Sequence, residues 1–141
     1  MDKMFVYVSG RYSAGSKIER DFNVETAQRV GVLLEQKGFH AVVPHLSHYI
    51  DLQAKCMGVN ISYEKWIEHG LEQLSMCDAM LVISESPGVK REIEFANKHQ
   101  IPIYYRIEDI KPEYCIDCNG EVAVKLEDCP AYKNPVGNAE L

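Results

Sequence analysis

The sequence lacks the long apolar run of a membrane protein and the leader of a secreted one. No stretch approaches the ~18 consecutive apolar residues of a membrane-spanning helix. The first apolar run, Phe5–Ser9, is too short for a signal peptide and has no cleavage-like site after it. Positive charge is also scarce, with 15 Lys and Arg against 21 Asp and Glu and a net charge of −6. We therefore expect a cytoplasmic protein that binds neither membranes nor nucleic acid.

Two nucleotide-binding motifs are missing as well. The chain has neither the Gly-x-x-x-x-Gly-Lys-Ser/Thr loop of nucleoside triphosphatases nor the Gly-x-Gly-x-x-Gly fingerprint of dinucleotide-binding folds. Kinase and NAD-dependent dehydrogenase activities lose most of their support, and no cofactor is expected. The 141 residues, 46% hydrophobic and 26% charged, suit one globular domain.

Short apolar runs alternate with helical patterns along the first 106 residues. Strands are predicted at residues 5–9, 39–44, 79–83 and 101–105, and helices at 17–37, 62–76 and 89–99. Strands that alternate with helices predict βαβ units and a parallel sheet. We expect a Rossmann-like or flavodoxin-like α/β domain of four to five strands over residues 1–106, followed by a short cysteine-containing extension over 107–141.

The first helix and the segment after the second strand carry more detailed predictions. The inner face of the helix is predicted to hold Phe22, Ala27, Val30 and Leu34, and Gly38 is predicted to cap its C-terminus. Residues 45–60 are predicted to be irregular. Because that length exceeds most connections in compact domains, we expect a functional loop there.

Open parallel sheets bind ligands at the carboxyl ends of their strands. Three segments should meet there, namely residues 10–16, the segment that begins at His45, and residues 84–88. The last of these enters a helix, whose free N–H groups and dipole favour an anion.

This helix start has the residues of a phosphate site. Ser86 supplies a hydroxyl, Gly88 permits close backbone approach, and Lys90 and Arg91 add positive charge. A simple Ser cap followed by Pro87 explains the same residues without a ligand.

Glu92 is the candidate catalytic group on the same helix. A carboxylate near a helix N-terminus is favoured in its ionised form, and it is a nucleophile or base if it faces the site. The alternative is an ordinary surface carboxylate like its neighbour Glu94.

Three segments together resemble the nucleoside 2-deoxyribosyltransferase-like superfamily, over about residues 4–106. They are residues 10–13, 77–82 and 86–92, and the most specific is the Ser-x-Gly-x-x-x-Glu pattern from Ser86 to Glu92. The superfamily includes deoxyribosyltransferases and 2′-deoxynucleoside 5′-phosphate N-hydrolases. Its small phage and bacterial members are the ones this chain resembles most.

The resemblance implies a role for each matching residue. Glu92 would attack the anomeric carbon and form a glycosyl-enzyme intermediate, and Tyr12 would orient that carboxylate through its hydroxyl. The 5′-phosphate or neighbouring sugar would be bound by Ser86 and Gly88. The remaining substrate-binding candidates are Gly10, Arg11, Ser13, Gly15, His45 and Lys90. A homo-oligomer is also implied, since a neighbouring subunit often completes the site in this superfamily.

The chain departs from the superfamily at one position. An Asp is often found eight residues before the Asp that opens the third strand, and here that position is Gly70. The departing base must take up a proton, so a different residue would have to act as the general acid. The nearby candidates are Asp51, Glu68, His69 and Glu72. The change indicates altered base specificity, a relocated acid or a protein that binds without turnover.

Aromatic and histidine side chains give further candidates with open interpretations. His45 and His48 either contact the base or sugar, bind a metal together with a cysteine, or are ordinary surface groups. Tyr63 and Trp66 either stack on a base or pack in the core.

The five cysteines are an odd number, and in a reducing compartment most should be thiols. Cys115, Cys118 and Cys129 could hold a structural zinc only if Cys56, His99 or a neighbouring subunit supplied a fourth ligand. The alternative is an extension with free thiols.

We therefore expect cleavage of the N-glycosidic bond of a small nucleotide or nucleoside, with a nucleoside 5′-monophosphate preferred. Two alternatives stay open. One is a nucleotide-binding or sensing module without turnover, and the other is an interaction protein held together through the cysteine-containing extension.

Overall fold

A computed structural model describes residues 4–111 and the backbone of two short strands, Tyr114–Ile116 and Ala123–Lys125. Most of the predicted cysteine-containing extension lies outside the described residues. The side chains of the predicted zinc ligands Cys115, Cys118 and Cys129 fall there too.

Four strands and four α-helices build the domain. The strands are β1 (Phe5–Ser9), β2 (His40–Val42), β3 (Ala79–Val82) and β4 (Ile103–Tyr104). The helices are α1 (Lys17–Gln36), α2 (Ser47–Cys56), α3 (Tyr63–Ser75) and α4 (Pro87–Lys98), with single 3₁₀ turns at Pro44–Leu46 and Ile107–Asp109. The strands Tyr114–Ile116 and Ala123–Lys125 (β5 and β6) pair antiparallel with each other.

The main sheet has the strand order β2-β1-β3-β4, and all its pairs are parallel. Val6 lies opposite both Ala41 and Ala79, so β1 is central. Helices cover both faces, which explains why the strand sequences are continuous apolar runs. The predicted α/β class with a parallel sheet is confirmed.

Alternation along β1 decides which residues reach each face. Val6 and Val8 pack with Ala27 and Leu34 of α1, whereas Tyr7 packs on the opposite face with residues of α3 and α4. Tyr7 is only 1% exposed. The side chain of Tyr7 therefore points toward α3 and α4, the two helices that border the site described below.

The prediction for α1 is right in its bounds and wrong at one core position. The helix begins after the Ser16 cap, and Gly38 follows it with a φ of 94°, the left-handed conformation of a C-terminal cap glycine. Phe22, however, is 65% exposed. The buried stripe starts at Val24, and Phe22 lies off that stripe.

The irregular loop predicted over residues 45–60 is wrong for residues 45–56, and residues 57–60 belong to no helix or strand. Pro44 begins a 3₁₀ turn that continues into α2. This helix buries His48 and Ala54 and leaves Tyr49 and Ile50 exposed. Its apolar residues therefore do not form an inward stripe, and the sequence shows no helical period there. Of the helices in the described ranges, none is long and apolar enough to cross a membrane.

Candidate functional site

A cavity of about 580 Å³ opens at the carboxyl edge of the sheet, where β1 and β3 end and α4 begins. Its volume is within the range of about 300–1,000 Å³ that is usual for small-molecule sites. The lining residues are Tyr7, Gly10, Arg11, Tyr12, Ser13, Pro44, His45, Ser47, Asp51, Tyr63, Trp66, Ile67, His69, Gly70, Glu85, Ser86, Pro87, Gly88, Val89 and Glu92. Most of the predicted site residues meet there, whereas Gly15 and Lys90 are not part of the lining.

Glu92 lies in the second turn of α4, and two buried hydroxyls hold its carboxyl group. Ser9 Oγ donates to Glu92 Oε1 at 3.1 Å, and the Tyr7 hydroxyl donates to the same carboxyl group. Burial raises the pKa of Glu92, and the hydrogen bonds from Tyr7 and Ser9 oppose that rise. Burial also raises the pKa of Tyr7 far above its ordinary value, so the phenol stays protonated and donates. The site thus holds one oriented, half-buried carboxyl group.

Tyr12 does not hold Glu92, in contrast to the expectation from the resemblance. Its hydroxyl hydrogen-bonds His48 Nδ1 at 2.8 Å. The phenol that orients Glu92 comes instead from Tyr7, which sequence reasoning assigned only to a buried strand. The signal was a single polar aromatic between Val6 and Val8, because alternation along a strand places it on the face opposite its neighbours.

Position 70 of α3 has little room for a side chain. A Cβ atom there would lie 2.9 Å from the Tyr7 hydroxyl oxygen. Any side chain at this buried position therefore competes with the phenol that holds Glu92. The close approach between α3 and Tyr7 requires glycine.

The four alternative acids separate into two places. Asp51 and His69 line the cavity. Glu68 and Glu72 line a different groove, which α3 and α4 form with Glu64 and Arg91 on its walls. Only the first pair can reach a ligand beside Glu92.

Asp51 and Trp66 form a hydrogen-bonded pair on the wall between α2 and α3. Trp66 Nε1 donates to Asp51 Oδ1 at 3.1 Å, and Lys55 Nζ lies 3.2 Å from Asp51 Oδ2. The Trp66 hydrogen bond and the Lys55 ammonium hold the pKa of Asp51 below its ordinary value. Asp51 is therefore ionised at neutral pH and has no proton to give.

His45 is buried against the first loop. Its Nε2 lies 3.0 Å from the Gly10 carbonyl oxygen, which accepts a hydrogen bond from that nitrogen. Burial lowers the pKa of His45, so the neutral imidazole is favoured. His45 thus fixes the loop that carries Arg11 and Tyr12. No three potential metal ligands cluster anywhere in the described part of the chain.

Of the cations predicted to bind phosphate, Lys90 and Arg91 do not line the cavity, whereas Arg11 does. Arg91 makes a two-pronged ion pair with Glu64 outside the cavity, at 3.1 and 3.2 Å. Arg11 lines the cavity, and its guanidinium donates to the Glu85 carbonyl at 3.2 and 3.1 Å. Arg11 and the N-terminus of α4 are therefore the groups available to an anion.

Ser86 caps α4, as the alternative interpretation of this turn required. Its side chain accepts a hydrogen bond from the Val89 amide at 3.2 Å. We expect Ser86→Ala to lower the free energy of unfolding by about 1 kcal/mol, since it leaves an amide of the first turn without a partner. Urea denaturation measures this loss. Ser86→Asp, which keeps an acceptor, serves as the control, and equal losses for both variants would contradict the capping role.

Comparison with known proteins places the chain in one family. No curated protein matches the sequence. A family model described as a domain of unknown function, DUF7768, matches residues 4–106, which span β1 to β4 and every residue that lines the cavity. The chain therefore belongs to the DUF7768 family.

Proposed function

We propose that this protein cleaves the N-glycosidic bond of a small nucleoside or nucleoside 5′-monophosphate, with Glu92 as the nucleophile. The observation that carries the proposal is the half-buried Glu92 carboxyl group, held by the Tyr7 and Ser9 hydroxyls in a cavity of about 580 Å³. The resemblance to the nucleoside 2-deoxyribosyltransferase-like superfamily supports the same assignment.

The reaction needs a fixed carboxylate beside the anomeric carbon. As the bond to the base breaks, positive charge develops on the sugar in an oxocarbenium-like state, and a carboxylate stabilises that charge. Glu92 forms a bond to the anomeric carbon while the base leaves with its electron pair and takes up a proton. Water then cleaves the resulting ester and restores Glu92. If a second base replaces water, the outcome is transfer.

The environment of Glu92 suits this role. The two hydroxyl donors fix the direction of the carboxyl group before the substrate arrives, which lowers the entropy lost in reaching the transition state. Burial raises its pKa, so the carboxylate is less stabilised by solvent than a surface group and is a stronger nucleophile and base.

His69 is the side chain we propose as proton donor to the departing base. It lines the cavity one residue before Gly70, and its ring meets the Trp66 ring edge-on at a centroid distance of 5.7 Å. Asp51 is excluded from this role because Trp66 and Lys55 stabilise its ionised form.

A 5′-phosphate would lie at the N-terminus of α4. Of the lysines and arginines in the described residues, Arg11 alone lines the cavity. Its guanidinium, the Gly88 amide and the dipole of α4 favour one phosphate group, since Pro87 has no N–H and the Val89 amide is bonded to Ser86. These contacts support a monophosphate over a free nucleoside.

A second candidate is a nucleotide-binding module without turnover. The observation that favours it is Gly70, since the superfamily's usual acid has no room beside Tyr7. Such a module would use the same cavity and bind the same ligands intact.

A panel of 2′-deoxynucleosides and their 5′-monophosphates tests the proposal. We expect base release from at least one monophosphate, at a rate about tenfold or more above that of its nucleoside, because the phosphate adds charge-assisted hydrogen bonds. Chromatography of the free base measures the rate. Ligand-induced thermal stabilisation without base release would establish the binding module instead. The absence of both thermal stabilisation and base release would contradict both candidates.

A further inference from the structure

The cavity wall between α2 and α3 presents hydrogen-bond acceptors to a ligand. Asp51 Oδ1 accepts from Trp66 Nε1, and Asp51 Oδ2 faces Lys55. The side chain of Asp51 is 18% exposed and lines the cavity, so lone pairs of its carboxylate are left for a ligand. An ionised carboxylate accepts hydrogen bonds and donates none.

Tyr12 adds a second acceptor beside Asp51. His48 Nε2 lies 3.7 Å from Asp21 Oδ1, which favours the proton on that nitrogen. His48 Nδ1 then accepts the hydrogen bond from the Tyr12 hydroxyl at 2.8 Å. The Tyr12 hydroxyl proton is thus used in the hydrogen bond to His48, and the hydroxyl oxygen can still accept a hydrogen bond from a ligand. Tyr12 and Asp51 both line the cavity, and burial, followed by the nearby charge on Asp51, raises the pKa of Tyr12.

A path along α3 connects Glu92 to this patch. Gly70 lies beside the Tyr7 hydroxyl that holds Glu92, since a Cβ atom at position 70 would be 2.9 Å from it, and Trp66 lies one turn earlier on the same face of α3. Four residues rise about 6 Å along a helix. The Tyr7 hydroxyl fills the space beside Gly70, and both residues belong to the same cavity wall as Trp66 and Asp51. A planar base bonded to a carbon at Glu92 would lie along it, with its outer edge toward Trp66 and Asp51.

We propose that Asp51, positioned by Trp66, selects nucleobases that carry an exocyclic amino group. This inference rests on the proposed function, because it takes the sugar to lie at Glu92. An amino group donates hydrogen bonds to the carboxylate and to the Tyr12 oxygen. A base without that donor leaves the remaining lone pairs of the carboxylate without a partner once water is displaced, which is how polar groups in a site reject an analogue.

Matched pairs of ligands that differ by a single amino group test the selection. They are deoxyadenosine with purine deoxyribonucleoside, deoxyguanosine with deoxyinosine, and deoxycytidine with 2-pyrimidinone deoxyribonucleoside. Trp66 is the only tryptophan in the sequence, so its fluorescence reports binding at this wall directly. Titration with each ligand gives Kd without requiring turnover, and base release is measured on the same samples.

The wild-type protein should bind the amino-bearing member of at least one pair about tenfold or more tightly, as a hydrogen bond to a charged group provides. Asp51→Asn keeps the shape and removes the charge, and it should reduce that preference to about threefold or less. Asp51→Leu removes both carboxylate acceptors, leaves only the Tyr12 oxygen, and should abolish the preference. Asp109→Asn, at an exposed position outside the cavity lining, is the control for the change of charge and should leave the preference intact.

The outcomes separate this inference from the proposed function. Equal affinities within every pair, or a preference that survives in Asp51→Asn and Asp51→Leu, would overturn the selection by Asp51 even if base is released. A preference that depends on Asp51 without any base release would support the inference and overturn Glu92 catalysis. If circular dichroism shows that both variants are unfolded, the wild-type affinities decide. Equal affinities within every pair overturn the inference, and a preference of about tenfold or more for the amino-bearing member supports it.

Discussion

Glu92→Gln is expected to reduce base release by roughly 10³-fold or more, because an amide neither attacks the anomeric carbon nor balances the charge of the transition state. Gln keeps the size of the side chain and an oxygen that accepts from Ser9 or Tyr7. Substrate binding should therefore change little, and the loss should appear in kcat. Initial rates and Trp66 fluorescence titrations measure the two effects separately.

Glu94→Gln is the matched control for this variant. Glu94 lies on the same helix, is exposed, and does not line the cavity. Its replacement removes the same charge and should leave kcat within about twofold, as is usual for exposed sites that contact neither substrate nor core. Equal rates for wild type and Glu92→Gln would rule out Glu92 as nucleophile.

The raised pKa of Glu92 gives the same variant a second signature. In the unfolded chain the group titrates near its ordinary value of 4.5, and in the folded chain it titrates higher. The folded state thus binds more protons in that interval. Stability should fall as the pH rises from about 4.5 through the folded pKa. Urea denaturation across this window should show the fall in wild type and not in Glu92→Gln, whereas identical pH profiles would contradict a raised pKa of Glu92 in the folded state.

Gly70→Ala is expected to lower both stability and activity. In an exposed helix this change normally stabilises by about 1 kcal/mol. Here the new Cβ would lie 2.9 Å from the hydroxyl oxygen of Tyr7, which is 1% exposed and hydrogen-bonded to Glu92. Overpacking at such a position costs about 1–3 kcal/mol, so the variant should unfold at lower urea concentration. Displacement of the phenol from Glu92 should also reduce kcat.

A double variant isolates the cause. Tyr7→Phe removes the oxygen that the new methyl group meets. Gly70→Ala should then cost less in the Tyr7→Phe background than in wild type, and the difference is the coupling energy between the two positions. The same loss in both backgrounds would show that the Tyr7 hydroxyl does not impose glycine at position 70.

Much of the fold was predictable because its signals are local. The apolar runs of β1 and β3 mark buried parallel strands, and the cap residues Ser16 and Gly38 mark the ends of α1. The helix α2 was missed, since a helix that buries chiefly His48 and Ala54 shows no apolar stripe. The prediction that Phe22 is buried fails because helical spacing alone does not decide burial. An apolar residue at that spacing reaches the core only if the packing of α1 turns it inward.

The sequence by itself determined the α/β class, the helix start at Ser86 and the candidacy of Glu92, because each of these depends on residues that are close together in the chain. Only the tertiary structure decided what surrounds that carboxyl group. Tyr7 is 85 positions away from Glu92 and Gly70 is 22, and they meet because β1, α3 and α4 pack against one another. The same packing turned Tyr12 toward His48 and placed Asp51 beside Trp66. Contacts between distant segments depend on how whole elements pack, which no local pattern specifies.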